Sequence, residues 1–518
     1  MGPVDLMNVR TASVTSLALI GLEGHLVDVE AHIGRGLVGF TLVGLPDAAL
    51  REAKDRVRSA LQSSDLEVLD RRITVNLSPA GLAKSGSGFD LAIAMSVLLA
   101  SGRISPALFE GAVLIGELGL DGGLRPVRGI LPGVAAAKGL GARRVIVPAP
   151  SAHEAGLISG IEVLAFEHLA DLVGAAGGAA RRAVRTGAPH AAPPPRTPPH
   201  PELDLFDVRG QDQAIDALEV AAAGGHHLLL IGEPGSGKTM LASRLPSVLP
   251  DLDDALALEV TALHSLAGAL GEEGALLRRP PFQAPHHSAS TPSLIGGGSG
   301  IALPGAVSLA HGGVLFLDEA AEFAPSVLDA LRQPLEERAI TIHRSKGRAR
   351  YPAGFQLVLA SNPCPCGGAG RACRCSSLQR RRYMSRLSGP LLDRIDITVE
   401  MRQPTRADLR MSRARGSAEV RLRVEEARRR MRDRLAGSGY SLNAELPGAW
   451  LRRHGRMPAA LIERLDRAVD ERHLTMRGAD RVLRLMRTLA DLEGRDRPGE
   501  ADLVRALSLR NGGRDVDD

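Results

Sequence analysis

Hydrophobic and polar positions change their period several times along the chain. In the first 175 residues, short apolar runs at Leu26–Glu30, Gly39–Val43, Ile73–Leu77, Ala112–Ile115 and Val145–Pro148 predict strands. Ala48–Gln62, Asp90–Ala100 and Gly133–Lys138 repeat at helical spacing, so this region reads as mixed α and β. From Gly174 to Pro201 the pattern lapses into GAAGGAARRAVRTGAPHAAPPPRTPPHP, which holds no acid and too little apolar surface to fold alone. It predicts a semi-stiff linker. Beyond it, His227–Ile231, Val314–Leu317 and Gln356–Ala360 read as buried strands, interleaved with helices from Thr239 and over Ser326–Leu335. That alternation predicts a parallel-sheet domain. From about Ala418 the chain turns Arg-rich and helical, most clearly over Ala460–Arg472 and Arg477–Leu492. The expectation is a multidomain α/β protein divided into residues 1–175, a linker at 176–201, an α/β domain at 202–400, and helices with an acidic tail at 401–518.

Composition narrows the class. A chain of 518 residues with 44% hydrophobic positions can build several cores. No apolar stretch approaches the roughly 20 residues of a membrane span, and no basic segment followed by an apolar one suggests a secretory signal. Aromatics are only 3%, which argues against a stacking platform for single-stranded nucleic acid. The four cysteines all lie between Cys364 and Cys375 and cannot staple distant parts of the fold, so a reducing, cytoplasmic setting is expected. Net charge is +5, unevenly spread: residues 1–175 carry 15 basic against 18 acidic groups, and residues 401–518 carry 27 Arg against 19 acids. Only five lysines occur beside 59 arginines, an excess best read as coding bias, which draws attention to each lysine that remains.

One of them stands in Gly232-Glu233-Pro234-Gly235-Ser236-Gly237-Lys238-Thr239, a complete G-x-x-x-x-G-K-T with a strand before it and a helix after. The glycines let backbone N–H groups curl around phosphates, Lys238 reaches the β- and γ-phosphates of ATP, and Thr239 serves Mg²⁺. Val314-Leu-Phe-Leu-Asp318-Glu319 supplies an apolar strand ending in two acids. Asp318 is expected to hold Mg²⁺ through water and Glu319 to polarise the attacking water. The next strand leads to Asn362, placed to orient that water.

With these motifs the chain resembles AAA+ ATPases of the magnesium-chelatase-like branch. The 80 residues from Lys238 to Asp318 leave room for that branch's insertion, here Pro285-His-His-Ser-Ala-Ser through Ser293-Leu-Ile-Gly-Gly-Gly-Ser-Gly. A hairpin predicted at Ala339–Phe355 stands where the branch projects a loop into a central pore, with Lys346, Arg348 and Arg350 for a phosphate backbone. By the same resemblance, Arg394 in Gly389-Pro-Leu-Leu-Asp-Arg394 is the arginine finger that reaches a neighbouring subunit's ATP. Arg477 in Leu474-Thr-Met-Arg477 is the lid's nucleotide contact. A finger supplied in trans implies a ring, by analogy a homo-hexamer.

Cys364-Pro-Cys366 and Cys373-Arg-Cys375 form C-x-C-x₆-C-x-C, tighter than the usual C-x₂-C, and either hold a structural Zn²⁺ or stand as free reduced thiols. Arg371, Arg374, Arg380, Arg381, Arg382 and Arg386 run through and beyond it without an acid, a basic stretch suited to DNA. His286-His287 reads as polar packing.

Two longer segments, Leu42 to Leu61 and Val75 to Ala94, resemble the bacterial ComM/YifB family, and with the motifs above the likeness runs from about Thr11 to Leu509. The N-terminal region is also similar to the Lon-type peptidase domain. The nucleophilic Ser of its pattern falls on Gly88, Ser85 and Ser87 stand only nearby, and the turn Arg128-Gly-Ile-Leu-Pro-Gly133 lacks the partner Lys. The resemblance therefore implies an inactive Lon-like domain on a AAA+ ATPase with a helical lid. It also implies an ATP-driven branch-migration motor on DNA in natural transformation. A magnesium-chelatase motor subunit and a protein-remodelling ATPase are the alternatives.

Overall fold

A computed structural model describes residues 11–34, 37–44, 47–66, 71–84, 86–182, 203–271, 275–298, 302–344, 347–368 and 373–512. Lys346, Ser85, Arg371, most of the expected linker and the acidic tail lie outside these residues.

The N-terminal region is a seven-stranded sheet. Strands β1 (Thr11–Ile20), β2 (Glu23–Gly34), β3 (Gly39–Val43), β4 (Arg72–Ser78), β5 (Ala112–Leu114), β6 (Arg144–Pro148) and β7 (Glu162–Phe166) are ordered β3-β4-β2-β1-β5-β6-β7. Helices α1 (Ala48–Ser63), α2 (Asp90–Ala100) and α3 (Ile130–Gly139) pack on it. The ten-residue β1 and its antiparallel pairing to β2 were missing from the sequence reading, as was β7. In β2 the buried positions alternate from Val27 to Ile33 with Asp28, Glu30 and His32 between them, so the sequence reading covered only Leu26–Glu30 of its twelve residues.

The second sheet has five strands, all parallel: β8 (Leu228–Gly232), β9 (Phe282–Gln283), β10 (Val314–Leu317), β13 (Gln356–Ser361) and β14 (Ile397–Met401), in the order β9-β10-β13-β8-β14. Between β10 and β13, β11 (Ala339–Arg344) and β12 (Gly347–Pro352) form the expected hairpin. Register brings the residues after β8, β10 and β13 to one edge of the sheet, because Leu228 pairs with Ile397 and Val358 and the strands run together from there. That edge carries Gly232, Asp318 and Asn362. The opposite edge, where the strands start, carries His227 and Asp396, whose backbones pair at 3.2 Å.

Helices α4 (Asp212–Gly224), α5 (Lys238–Ala242) and α6 (Asp254–Ala267) flank this sheet, and α7 (Ser417–Leu435) and α8 (Met476–Leu492) share one continuous apolar core with it. The helix expected over Ser326–Leu335 is instead two short ones, Pro325–Asp329 and Arg332–Glu337. Pro334 accounts for the break, since its ring crowds the carbonyl four residues earlier, at Ala330. The N-terminal sheet docks through α3 on α6: Ala262 lies in the same core as Ile130 and Leu131, and the Gly129 N–H donates to the Ser265 carbonyl at 3.2 Å.

Candidate nucleotide site

The loop between β8 and α5 bends twice through left-handed backbone, at Gly235 (φ +79°) and Gly237 (φ +90°), where a side chain would be strained. This frees the loop's N–H groups to face inward and opens α5 on Lys238, a helix N-terminus suited to phosphate. Lys238 is 8% exposed. Its Nζ donates to the carbonyls of Gly232 (2.7 Å) and Glu233 (2.9 Å) and to Oδ1 of Asn362 (3.2 Å). Burial lowers its pKa, against the opposing pull of Asp318 and Glu319. Thr239 donates from Oγ1 to Oδ2 of Asp318 at 2.6 Å, so the hydroxyl and carboxylate expected to serve one Mg²⁺ already meet. The sequence-predicted Lys238, Thr239, Asp318 and Asn362 thus come together at one edge of the sheet, from three strands.

Glu319 follows at the end of β10 with φ +50°, a conformation that costs a non-glycine residue about 1–3 kcal/mol and is typical of functional positions. Its N–H donates to Oδ1 of Asp318 (2.9 Å). Its carboxylate Oε2 lies 3.1 Å from Nδ1 of His287, in the insertion before β10. The rings of His286 and His287 lie tilted by 35° with centroids 4.0 Å apart. Sequence reasoning took this pair for polar packing; its link to Glu319 crosses 32 residues of chain and has no local signature.

Two glutamines were also missed. Gln211, before α4, donates to the carbonyls of Ser236 (3.0 Å) and Arg402 (2.6 Å), and Gln403 donates to that of Pro234 (3.1 Å). They clamp the phosphate loop from its outer side to the strand end of β14. The signal was two amides without a motif around them.

Arg394 and Arg477 lie elsewhere. Arg394 precedes β14, at the edge where strands start, and is paired with Glu336. Arg477, at the beginning of α8, lies 3.4 Å from Asp393. The five residues of β14 separate this edge from the phosphate loop by about 16 Å at 3.3 Å per residue. Within one chain, therefore, neither arginine reaches Lys238. Both line a groove of about 1840 Å³ together with His227, Arg338, Asp393 and Arg481. Burial lowers the Arg394 pKa, with Arg477 and Arg332 adding to it.

That edge is also held by buried polar groups. Asp396 accepts from or shares a proton with His226 Nδ1 at 3.2 Å, and Arg481 Nε lies 3.3 Å from its other oxygen. Burial alone would raise the Asp396 pKa. The His226 hydrogen bond and the charges of His226 and Arg484 reverse this and hold it well below the carboxylate range. His226 Nε2 meets Thr488 at 2.8 Å, and Asn443 bridges Thr488 to Asp491.

The basic candidates fall in two places. Arg348 and Arg350 lie exposed on one face of β12, with Ala349 and Tyr351 buried on the other, and the Arg350 backbone rests on the turn at Gly21. Arg380, Arg381 and Arg382 are exposed on the helix Ser377–Met384, which begins with a Ser376–Gln379 capping box. Just before that helix, the sulfur atoms of Cys364, Cys366, Cys373 and Cys375 all lie within 4.8 Å of one another.

The family model for magnesium chelatase subunit ChlI matches residues 204–409, that for subunit ChlI of Mg-chelatase matches 29–151, and that for the ChlI C-terminal region matches 414–510. A protein of Mycobacterium tuberculosis is 48% identical over 499 residues, covering 96% of this chain and 98% of that protein. The competence protein ComM of Haemophilus influenzae is 41% identical over 503 residues, 96% of this chain and 97% of ComM. An archaeal Lon protease of Pyrococcus abyssi is 47% identical over 60 residues, 11% of this chain and 6% of the protease. The parallel sheet with its phosphate loop, the matched family models and the end-to-end likeness to ComM agree: the chain belongs to the ComM/YifB family of magnesium-chelatase-like AAA+ proteins, whose membership implies ATPase activity.

Proposed function

We propose that this protein is an ATP-driven ring motor on DNA, a branch-migration helicase acting in recombination during natural transformation. The observation that carries the reading is the division of the ATP site. The phosphate cradle lies at one edge of the parallel sheet, and the arginines suited to the γ-phosphate lie at the other. A second copy that presents its starting edge completes the site, and repetition of that heterologous contact closes into a ring, by family analogy a hexamer. Residues 202–400 would form the ATPase domain, 401–518 the helical lid and tail, and 1–175 a Lon-like domain without the Ser–Lys dyad, joined through the 176–201 linker.

In this reading Lys238 and the loop N–H groups bind the ATP phosphates. Thr239 and Asp318 hold Mg²⁺, which neutralises charge on the phosphates when bound. Glu319 takes up the proton of the attacking water, and Asn362 orients that water. Arg394 and Arg477 stabilise the γ-phosphoryl charge of the neighbouring chain's nucleotide. Arg348 and Arg350 on the hairpin, together with Lys346, Arg380, Arg381 and Arg382, contact DNA phosphates, giving sequence-independent and salt-sensitive binding. ComM's name as a competence protein supports the transformation context.

The test is ATP hydrolysis with and without DNA, alongside migration of a four-way junction, by wild type, Lys238→Ala and Glu319→Gln. DNA-stimulated hydrolysis and migration by wild type alone are expected. An assembled wild type that does neither sinks the DNA reading; stimulation by a porphyrin-loaded partner instead would favour a metal-chelatase subunit, the role named in the matched family descriptions.

A further inference from the structure

We propose that Cys364, Cys366, Cys373 and Cys375 bind one Zn²⁺, and that this ion braces the wall of the nucleotide pocket formed by Pro234 and Asn362. The second half rests on the ATPase reading given above.

The sulfur geometry carries the first half. A tetrahedral Zn²⁺ with Zn–S bonds near 2.3 Å sets its thiolates about 3.8 Å apart. Cys364 Sγ lies 3.2 Å from Cys366 Sγ and 3.5 Å from Cys373 Sγ, and Cys366 Sγ lies 3.8 Å from Cys373 Sγ. All four fall within 4.8 Å, so a small inward adjustment makes a closed S₄ shell around one ion. The separations are far beyond the roughly 2.05 Å of a disulfide. They also converge on one centre, which suits a single ion better than a cluster of several irons, each needing its own thiolates. The first C-x-C pair lies on turned backbone, which the Gly367 N–H closes by donating to the Cys364 carbonyl at 3.0 Å.

Position carries the second half. Cys364 is 1% exposed and follows Asn362 by two residues, at the end of the central strand β13. Gly367 has φ +76°, and a Cβ there would come 2.8 Å from Cγ of Pro234. The cysteine loop therefore lies directly on the phosphate loop, and only a glycine allows the approach. On its other side the loop runs into the helix Ser377–Met384, where buried Tyr383 sits beside Ser361 and Glu322. Asn362 is thus framed by Ser361, Tyr383's neighbour, and by Cys364, a ligand. A metal that joins 364–366 to 373–375 closes this frame. Without it, the loop that touches Pro234 and the residue that meets Lys238 hang from one end of β13.

The test begins with the purified full chain. Elemental mass spectrometry should find about one zinc per chain. Protein produced with Co²⁺ should show the thiolate-to-metal and visible bands of a tetrahedral S₄ site. Cys366→Ser/Cys373→Ser should lose the metal, whereas Cys373→His, which keeps a Cys₃His ligand set, should retain it. Hydrogen exchange read by mass spectrometry should then show amides of residues 231–240 and 361–366 exchanging about tenfold faster or more in the serine double variant. Cys373→His should match wild type, and an unchanged far-ultraviolet spectrum and thermal melt of the N-terminal sheet control for global unfolding.

A wild type without zinc, or with iron in its place, overturns the metal site. Zinc present but exchange at the phosphate loop unchanged on its loss overturns the brace. None of these measurements uses ATP. A protein that passes them but hydrolyses no ATP would contradict the ATPase reading, and with it the nucleotide role of the braced wall, and leave the metal site and its hold on residues 231–240 standing.

Discussion

The two edges of the ATPase sheet use opposite solutions to the same problem of placing charge. Where the strands end, charge is met by backbone: a loop of N–H groups, one buried lysine, and acids that lean on their neighbours. Where the strands start, charge sits on long guanidinium side chains around a groove, anchored by Asp393, Glu336 and Asp396. The first arrangement is rigid and local, as a phosphate cradle must be. The second is a groove lined by side chains, suited to a partner's charge. On the proposed reading, the difference teaches that one chain carries two complementary halves of a site on faces that cannot meet each other.

The strongest way to break this comparison is Arg394→Ala. If the starting edge serves a neighbour's nucleotide, turnover should fall on the order of 10³-fold while nucleotide affinity changes little. Mixing it with Lys238→Ala chains should restore part of the rate, because some interfaces then combine an intact cradle with an intact arginine. A binding defect equal to the rate defect, with no rescue on mixing, would place the arginine in its own chain's site. Glu319→Gln tests the other edge: hydrolysis should drop about 10²–10⁴-fold, the range of a positioned acid–base group, with ATP still bound.

Asp396 then asks whether the starting edge is also a structural anchor. Asp396→Ala should cost about 3–5 kcal/mol by stranding Arg481 and His226 in the interior, read as a lower denaturation midpoint. The same carboxyl predicts a pH dependence. Its folded pKa is depressed, so the stability it contributes is present above the unfolded carboxyl value near 4 and is lost as pH falls below it. Acid unfolding monitored below pH 4 should flatten in Asp396→Asn. His287→Ala is the finest probe. The pair it makes with Glu319 is partly exposed and worth at most about 1 kcal/mol, so releasing Glu319 should raise DNA-independent hydrolysis by no more than about fivefold. A fall instead would make His287 a helper of the reaction.

The phosphate edge was largely readable in the chain, because its demands are local. Left-handed glycines, a lysine opening a helix, and an apolar strand ending in acids are adjacent in sequence as well as in space. The starting edge was readable only through family resemblance, since Arg394 and Arg477 lie 83 residues apart in an Arg-rich chain and share no spacing rule. His287, Gln211 and Gln403 escaped because each acts through a single long-range contact. The strands of the N-terminal sheet were found where apolar residues crowd, and missed in β1, whose serines and threonines alternate with its apolar residues.

The buried chain of groups from Asp396 through His226 and Thr488 to Asn443 and Asp491 has a mechanical consequence. It ties α8 to His226, two residues before β8, and β8 runs straight into the phosphate loop. The C-terminal helices and the loop are then joined through one hydrogen-bonded network and one strand. A tilt imposed on the helices by whatever they touch would therefore be passed through this network toward the phosphate loop.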